Sequence, residues 1–324
     1  MPRQYIDIES ADQLSLKRDD SLTPGPEEVV IKVAFAGLNR ADLLQRVGLY
    51  PPPEDASPIM GLEVSGLVSS VGSNASLKVG DRVCALVHGG GYATEAIARS
   101  DFCLKLDDSI SLELGAALPE ALLTVWYNLI ERAQLKPKER LLVHGGVSGI
   151  GSIAIQLATQ MGCEVIATAG SEAKMALCRE LGATHALDYK QPMSEQLAGL
   201  DLMGQIDVIL DMAAGDFAQF NLDALAIDGR IACIGFMRGS QCELDLIQLL
   251  MKRATLTGST LRRLTENEKA QCFTAISAKV MPDVESGAIR PIIDKIFPLE
   301  DALEAQIYMA SGAHAGKILL DCGS

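Results

Sequence analysis

The spacing of apolar positions changes rhythm near Leu122. Ahead of it, short alternations broken by glycine and proline predict strands: Val29–Ala36, Gly66–Val71 and Asp81–Val87. The first is bounded by Pro24 and Pro26 ahead and Gly37 behind. Next comes LNRADLLQRVGLYPPP, which predicts a short helix and then a proline-stiffened loop. Leu112–Arg132 predicts helix interrupted at Pro119. Further on, apolar runs alternate with helical patterns. Leu141–Val143, Glu164–Ala169, His185–Tyr189, Ile206–Asp211, Arg230–Gly235 and Ala254–Gly258 read as parallel strands, and Glu172–Leu181 as a helix ended by Gly182. Six such strands with helical crossovers make a complete doubly wound Rossmann sheet, an α/β fold. Ile292–Phe297 and Lys317–Leu320 return to strand and are expected to rejoin the N-terminal part. That makes a discontinuous mainly-β domain, residues 1–121 and 262–324, around a Rossmann domain, residues 122–261. No internal repeat or low-complexity linker is visible.

The first parallel strand runs into LLVHGGVSGIG, residues 141–151, and a helical pattern follows at Ile153, Ala154, Leu157, Ala158 and Met161. Strand, glycine turn and helix bring a dinucleotide pyrophosphate onto a helix N-terminus. A GxGxxG register falls on Gly146, Ser148 and Gly151, with serine in the middle place. Gly146, Ser148, Gly149, Ile150 and Gly151 are the candidate phosphate contacts. Backbone amides must approach phosphate oxygens there without a Cβ in the way. The Ser148 hydroxyl reads either as a contact to the nicotinamide end or the pyrophosphate, or as a simple turn residue.

NAD enzymes commonly place an acid at the end of the second strand. Here Ala169-Gly170-Ser171 stands there, and the first carboxylate is Glu172. A ribose 2′-phosphate would be repelled by an acid but would accept hydrogen bonds from Ser171 and charge from Lys174. Tyr189, ending the third strand, adds a hydroxyl. The expected cofactor is therefore NADPH, bound by Gly170, Ser171, Lys174 and Tyr189; the plain alternative for Lys174 is a solvated helix lysine.

The 324-residue chain carries a net charge of −14, which argues against nucleic acid and anionic membrane surfaces as partners. The N-terminus lacks a signal-like apolar region, and no apolar run approaches the ~18–20 residues of a membrane span. None of the eight cysteines is at CxxC spacing, which predicts reduced thiols in a cytoplasmic protein. The four histidines show no triad or metal spacing, and Trp126 reads as core.

The segments LNRADLLQRVGLYPPP, Gly61-Leu62-Glu63-Val64-Ser65-Gly66, Val79-Gly80-Asp81-Arg82-Val83, the HGGVSGIG turn and the ending IIDKIFPLEDALEAQIYMASGAHAGKILL together resemble the zinc-free quinone oxidoreductases. These belong to the medium-chain dehydrogenase/reductase superfamily; the nearest resemblance is to the p53-inducible quinone oxidoreductase-like branch. It covers nearly the whole chain and implies that the discontinuous domain is GroES-like. Where the superfamily's alcohol dehydrogenases hold zinc through Cys, His and Cys, this chain carries Asn39, Leu62 and Glu120, so no metal is expected. Substrates must then accept hydride readily, as quinones and activated enones do. The resemblance places the nicotinamide and acceptor in an interdomain cleft, near Asn39, Asp42, Tyr50 and Thr124. Tyr50 is the candidate to orient or protonate the acceptor, and Asn39 to hydrogen-bond it or to cap the following helix. Arg40 is expected to pair locally with Asp42. Phe236, Met237, Leu261, Arg262, Gly316 and Lys317 match cofactor-contacting positions, Lys317 otherwise reading as a surface lysine. The expected activity is NADPH-dependent quinone reduction by a homodimer paired across the sixth strand. The alternatives are reduction of the C=C bond of enones or enoyl thioesters, and an NADPH-binding regulatory protein with little turnover.

Overall fold

The structure is a computed structural model that describes residues 2–323. The chain divides into two compact units, Met1–Leu123 with Asn267–Ser324, and Thr124–Glu266.

The first unit opens with a surface hairpin, β1 (Arg3–Ser10) and β2 (Gln13–Asp19). It continues with β3 (Glu28–Gly37), β4 (Glu63–Val71), β5 (Arg82–Leu86), β6 (Glu95–Arg99) and β7 (Cys103–Lys105). The hairpin, β6 and β7 are not readable from the apolar pattern. The hairpin is mostly half-exposed, β6 buries only alanines, and β7 has three residues.

The second unit contains β8 (Arg140–Val143), β9 (Glu164–Ala169), β10 (His185–Asp188), β11 (Ile206–Asp211), β12 (Leu225–Cys233) and β13 (Thr255–Gly258). They form one sheet in the order β10-β9-β8-β11-β12-β13, parallel throughout. This is the Rossmann order, in which the strand direction of travel reverses beside β8. Leu142, Ile166, Ile209, Leu222 and Ile231 share a buried core, so the strands read as nearly continuous apolar runs. Met193–Ala198, Ala218–Ala224 and Leu246–Met251 are helices too short for a clear period.

The chain then returns to the first unit with β14 (Ile293–Pro298) and β15 (Lys317–Asp321). β15 pairs antiparallel with β3, placing Leu319 opposite Gly37. The tail therefore completes the seven-stranded sheet β14-β15-β3-β4-β5-β7, with β6 also on β3. Val29, Ile31, Val33, Val64, Val83, Ile318 and Leu320 fill its core.

The stretch from Leu112 is helical in three pieces. Leu112–Ala116 and Pro119–Val125 are α-helices, and Trp126–Arg132 is a π-helical turn. Trp126 is buried and its Nε1 donates to Glu131 Oε1 at 2.9 Å.

Candidate active site

In the Rossmann unit the turn after β8 is shaped by its own backbone. Gly146 N–H donates to Thr168 O at 2.9 Å, tying the turn to β9. Ser148 is the N-cap of the helix Gly149–Gln160, and its Oγ accepts from Gly151 N at 2.9 Å. Its carbonyl accepts from Ser152 N at 2.9 Å. Of the first-turn amides, those of Gly149 and Ile150 are thus left to face a ligand at the positive end of the helix. A Cβ on Gly151 would lie 2.3 Å from Gly145 O, so this position requires glycine. The Ser148 oxygen shapes the cradle by capping the helix, the role of a turn residue, and its hydroxyl hydrogen lies toward Met212 Sδ at 3.4 Å.

Ser171 repeats the device at the next helix: it caps Glu172–Glu180, accepting from Lys174 N at 3.3 Å. Tyr189 N–H donates to Ala169 O at 3.1 Å, and the ring, 39% exposed, brings its hydroxyl over Gly170. A Cβ on Gly170 would lie 2.3 Å from that oxygen. Gly170, Ser171 and Tyr189 are thus brought together. Glu172, next to Ser171 in the chain, is paired with Arg179 at 3.2 Å.

Beyond β12, Met237 N–H donates to Met212 O at 3.2 Å, while Phe236 and Met237 leave their side chains exposed. Leu261 and Arg262 lie in a single 3-10 turn after β13. Thr124 is buried at the start of the unit, and its carbonyl accepts from Asn128 Nδ2 at 2.9 Å.

In the first unit, the ends of β3, β4 and β15 meet around a buried ion pair. Register places Gly37 opposite Glu63, and Gly316 leads directly into Lys317 at the start of β15. Lys317 Nζ lies 2.5 Å from Glu63 Oε1 and donates to Asn39 Oδ1 at 2.7 Å and Leu38 O at 2.9 Å. Glu63 also accepts from Asn39 Nδ2 at 3.0 Å and from Glu120 N at 3.0 Å. Glu63 is fully buried and Lys317 is 4% exposed, which overturns the surface reading of Lys317. Asn39 is the N-cap of the helix Arg40–Arg46, its carbonyl accepting from Asp42 N at 3.0 Å, and its side-chain amide engages Glu63 and Lys317. It braces the site.

Asp42 does not pair with Arg40. It is fully buried, and accepts from Asn39 N at 2.8 Å, Tyr92 Oη at 3.0 Å and Gly61 N at 3.3 Å. A residue at the third helical position points its carboxylate back at the cap, away from its exposed neighbour Arg40. Burial pushes its pKa up to about 6, against the pull of these donors. The folded state therefore holds the proton more tightly than the unfolded chain. The contribution is fully present below about pH 4 and is lost as pH rises through about 6. Asp42→Asn mimics the protonated form. Its stability relative to the parent is expected to improve by on the order of 2–3 kcal/mol between pH 4 and 7, read by urea unfolding across pH. A gap independent of pH contradicts this.

The helix ends where Leu49 and Tyr50 N–H groups both donate to Leu44 O, at 2.9 and 3.2 Å. Tyr50 is half-buried, just ahead of Pro51-Pro52-Pro53, and its neighbour Leu49 is 75% exposed. At the positions of the superfamily's zinc ligands, the Asn39 amide is committed, Leu62 has no ligand atom, and Glu120 engages Glu63 through its backbone. This donor set does not suit zinc. Sequence reasoning missed Glu63 and Tyr92 as partners. The signal was an acid and a lysine, each opening a strand whose next residues are apolar.

Residues 149–278 match the zinc-binding dehydrogenase family, and residues 25–108 match the alcohol dehydrogenase GroES-like domain family. Quinone oxidoreductase-like protein 2 of Bos taurus is 31% identical over 298 residues, covering 91% of this chain and 85% of that protein. Escherichia coli quinone oxidoreductase, solved in complex with NADPH, superposes with a TM-score of 0.86 at 28% identity, covering 99% of both chains. The CurK enoyl reductase superposes at 0.85 with 26% identity, covering 98% of this chain and 99% of that one. The chain spans only 14% of a polyketide synthase subunit of Mycobacterium tuberculosis that it also matches. With both halves matched and one relative aligned over most of its length, the chain belongs to the medium-chain dehydrogenase/reductase superfamily, among its zinc-free quinone oxidoreductase-like members.

Proposed function

We propose that this protein is an NADPH-dependent, zinc-independent quinone reductase. The single observation carrying the cofactor reading is the cradle itself: two first-turn amides left to face a ligand over a glycine that tolerates no Cβ. The pyrophosphate sits against Gly149 and Ile150, held in shape by Gly146, Ser148 and Gly151. The 2′-phosphate sits among Ser171, Lys174 and Tyr189, where the adjacent Glu172 is drawn off by Arg179. Thr124, Phe236, Met237, Leu261 and Arg262 border the nicotinamide on the Rossmann unit. In the other unit the Lys317 ammonium is held by Glu63.

NADPH supplies the hydride when bound. The protein's part is to hold the acceptor, exclude water and supply a hydrogen-bond donor to the acceptor oxygen. Tyr50 takes that last role, and the buried Asn39–Glu63–Lys317 group fixes the base of the helix that leads to it. An electron-poor quinone needs no further polarisation. NADPH is expected to bind at least about tenfold more tightly than NADH, with Lys174→Ala removing most of the difference. Fluorescence titration of both cofactors checks this, and tighter NADH binding contradicts it.

A second reading, reduction of the C=C bond of an enone or enoyl thioester, is favoured by the likeness to the CurK enoyl reductase. Turnover of enones exceeding that of quinones decides for it. NADPH binding without turnover of any acceptor decides for a regulatory role.

The protein is further proposed to be a homodimer acting in the reducing cytoplasm; its eight cysteines are all free. Among the described residues, β13 is paired on one side only, by β12. Leu246, Ile247, Leu250 and Met251, on the helix leading to it, and Leu256 on the strand itself are more than half exposed. An open edge beside an apolar face suits a second copy of the same edge. Light scattering is expected to give twice the 34.5 kDa chain mass. Leu250→Glu with Met251→Glu is expected to give monomers; a monomeric parent contradicts the proposal.

A further inference from the structure

A buried polar chain crosses the Rossmann sheet beneath the glycine turn. His144 follows β8, Thr168 lies in β9 and Asp211 ends β11, three strands adjacent in the sheet. Asn221, on the helix Ala218–Ala224, completes it, and all four side chains are at most 3% exposed. Gly145 N–H donates to Thr168 Oγ1 at 3.2 Å, and Thr168 Oγ1 lies 3.2 Å from His144 Nδ1. His144 Nε2 lies 2.7 Å from Asn221 Oδ1, and Asn221 Nδ2 donates to Asp211 Oδ2 at 3.0 Å. Asp211 Oδ1 accepts from Ala213 N at 2.7 Å and Ala214 N at 2.9 Å.

The hydrogen directions are fixed. Asp211 accepts at both oxygens, so Asn221 must turn its NH2 to Asp211 and its oxygen to His144. His144 must then carry its proton on Nε2. Its bare Nδ1 takes the Thr168 hydroxyl hydrogen, which leaves the Thr168 oxygen to accept from Gly145. One arrangement satisfies every group. Burial pulls the His144 pKa down, against the charge of Asp211, and keeps the ring neutral. The rings of Phe217 and Phe220, with centroids 5.0 and 6.3 Å away, enclose it.

The chain's ends are the informative part. Gly145 opens the phosphate turn. Ala213 and Ala214 form the loop after β11, on which the loop after β12 hangs through Arg238 N–H to Ala213 O at 2.8 Å. We infer that Asp211, Asn221, His144 and Thr168 are positioning residues. They hold the phosphate turn and the loops after β11 and β12 at a fixed spacing, and thereby set cofactor affinity. None of the four contacts the cofactor; each acts through the backbone it holds. This rests on NADPH binding at the turn, as proposed above.

The polarity of the chain supplies the test. Asp211→Asn faces donor to donor or, with Asn221 turned over and His144 in its other tautomer, takes from the Thr168 hydroxyl its acceptor. Asn221→Asp sets two buried carboxylates acceptor to acceptor. Each variant costs the chain one link. Each is expected to raise the NADPH Kd of the full-length protein about tenfold, the effect of one buried hydrogen bond, with kcat at saturating NADPH within about twofold of the parent. The D211N/N221D double variant restores the chain. Asn at 211 keeps its oxygen for Ala213 and Ala214 and donates to Asp at 221, which accepts from His144 Nε2. Its Kd is expected to return to within about threefold of the parent. A merely space-filling role would leave Kd unmoved in all three. Single variants binding within about twofold of the parent, or a double variant no better than the singles, overturn the inference. Should the single variants not fold, Thr168→Val and Thr168→Ser decide it: valine is expected to raise Kd and serine to leave it, and equal Kd values overturn it. A parent protein that binds no NADPH contradicts the proposed function itself, before any variant is read.

Discussion

Lys317→Met is expected to destabilise the protein by about 3–5 kcal/mol, because it leaves the Glu63 carboxylate buried without its counter-charge. Glu63 is fully buried, and its other donors, the Asn39 amide and the Glu120 backbone, are neutral. Replacing both members, as Glu63→Gln with Lys317→Met, is expected to recover most of the loss. A buried pair exchanged for neutral groups of similar volume is often near neutral in stability. Urea unfolding of the two singles and the double measures this. Additive losses in the double would mean that the two charges do not depend on each other. The same variants bear on function, since the pair braces Asn39 at the start of the helix leading to Tyr50.

Gly151→Ala is expected to weaken NADPH binding by at least about a hundredfold, or ~3 kcal/mol. Alanine at a helical position is ordinarily preferred over glycine by ~1 kcal/mol, so a generic helix would gain from the change. Here the added Cβ would lie 2.3 Å from Gly145 O and 3.0 Å from the carbonyl carbons of Gly145 and Gly146. The turn must open to admit it, and the Gly149 and Ile150 amides move with the turn. Circular dichroism should show the fold retained while fluorescence titration shows the affinity lost. Binding unchanged by the substitution would mean that the cofactor does not use this turn.

The sequence made the Rossmann half largely legible. Its strands are buried on both faces and therefore read as uninterrupted apolar runs, and its glycine turn is local. The strand order and the pairing of Lys317–Asp321 with β3 needed the structure; the alternation of elements carried only the expectation that the tail rejoins the N-terminal part. The β half was less legible. Half-exposed strands such as Gln13–Asp19 carry few apolar positions, and β7 has three residues.

The side-chain partnerships were the least legible of all. Asp42 was expected beside Arg40, two positions away, but its partners are Tyr92 and Gly61, brought to it by the fold. Lys317 was expected at the surface, but lies against a glutamate more than 250 positions earlier in the chain. Local spacing carries no information on contacts of this kind. Ser148 shows the opposite case. Its place in the turn was legible, and only the partner of its hydroxyl oxygen, Gly151 N, needed the structure.

Metal-independent quinone reduction with NADPH is tested most directly by steady-state NADPH oxidation by chelator-treated protein with ortho- and para-quinones, with enones run in parallel. Saturable turnover with quinones is expected, faster than with enones, undiminished by the chelator and reduced by Tyr50→Phe. Tight NADPH binding with no turnover of any quinone would contradict it.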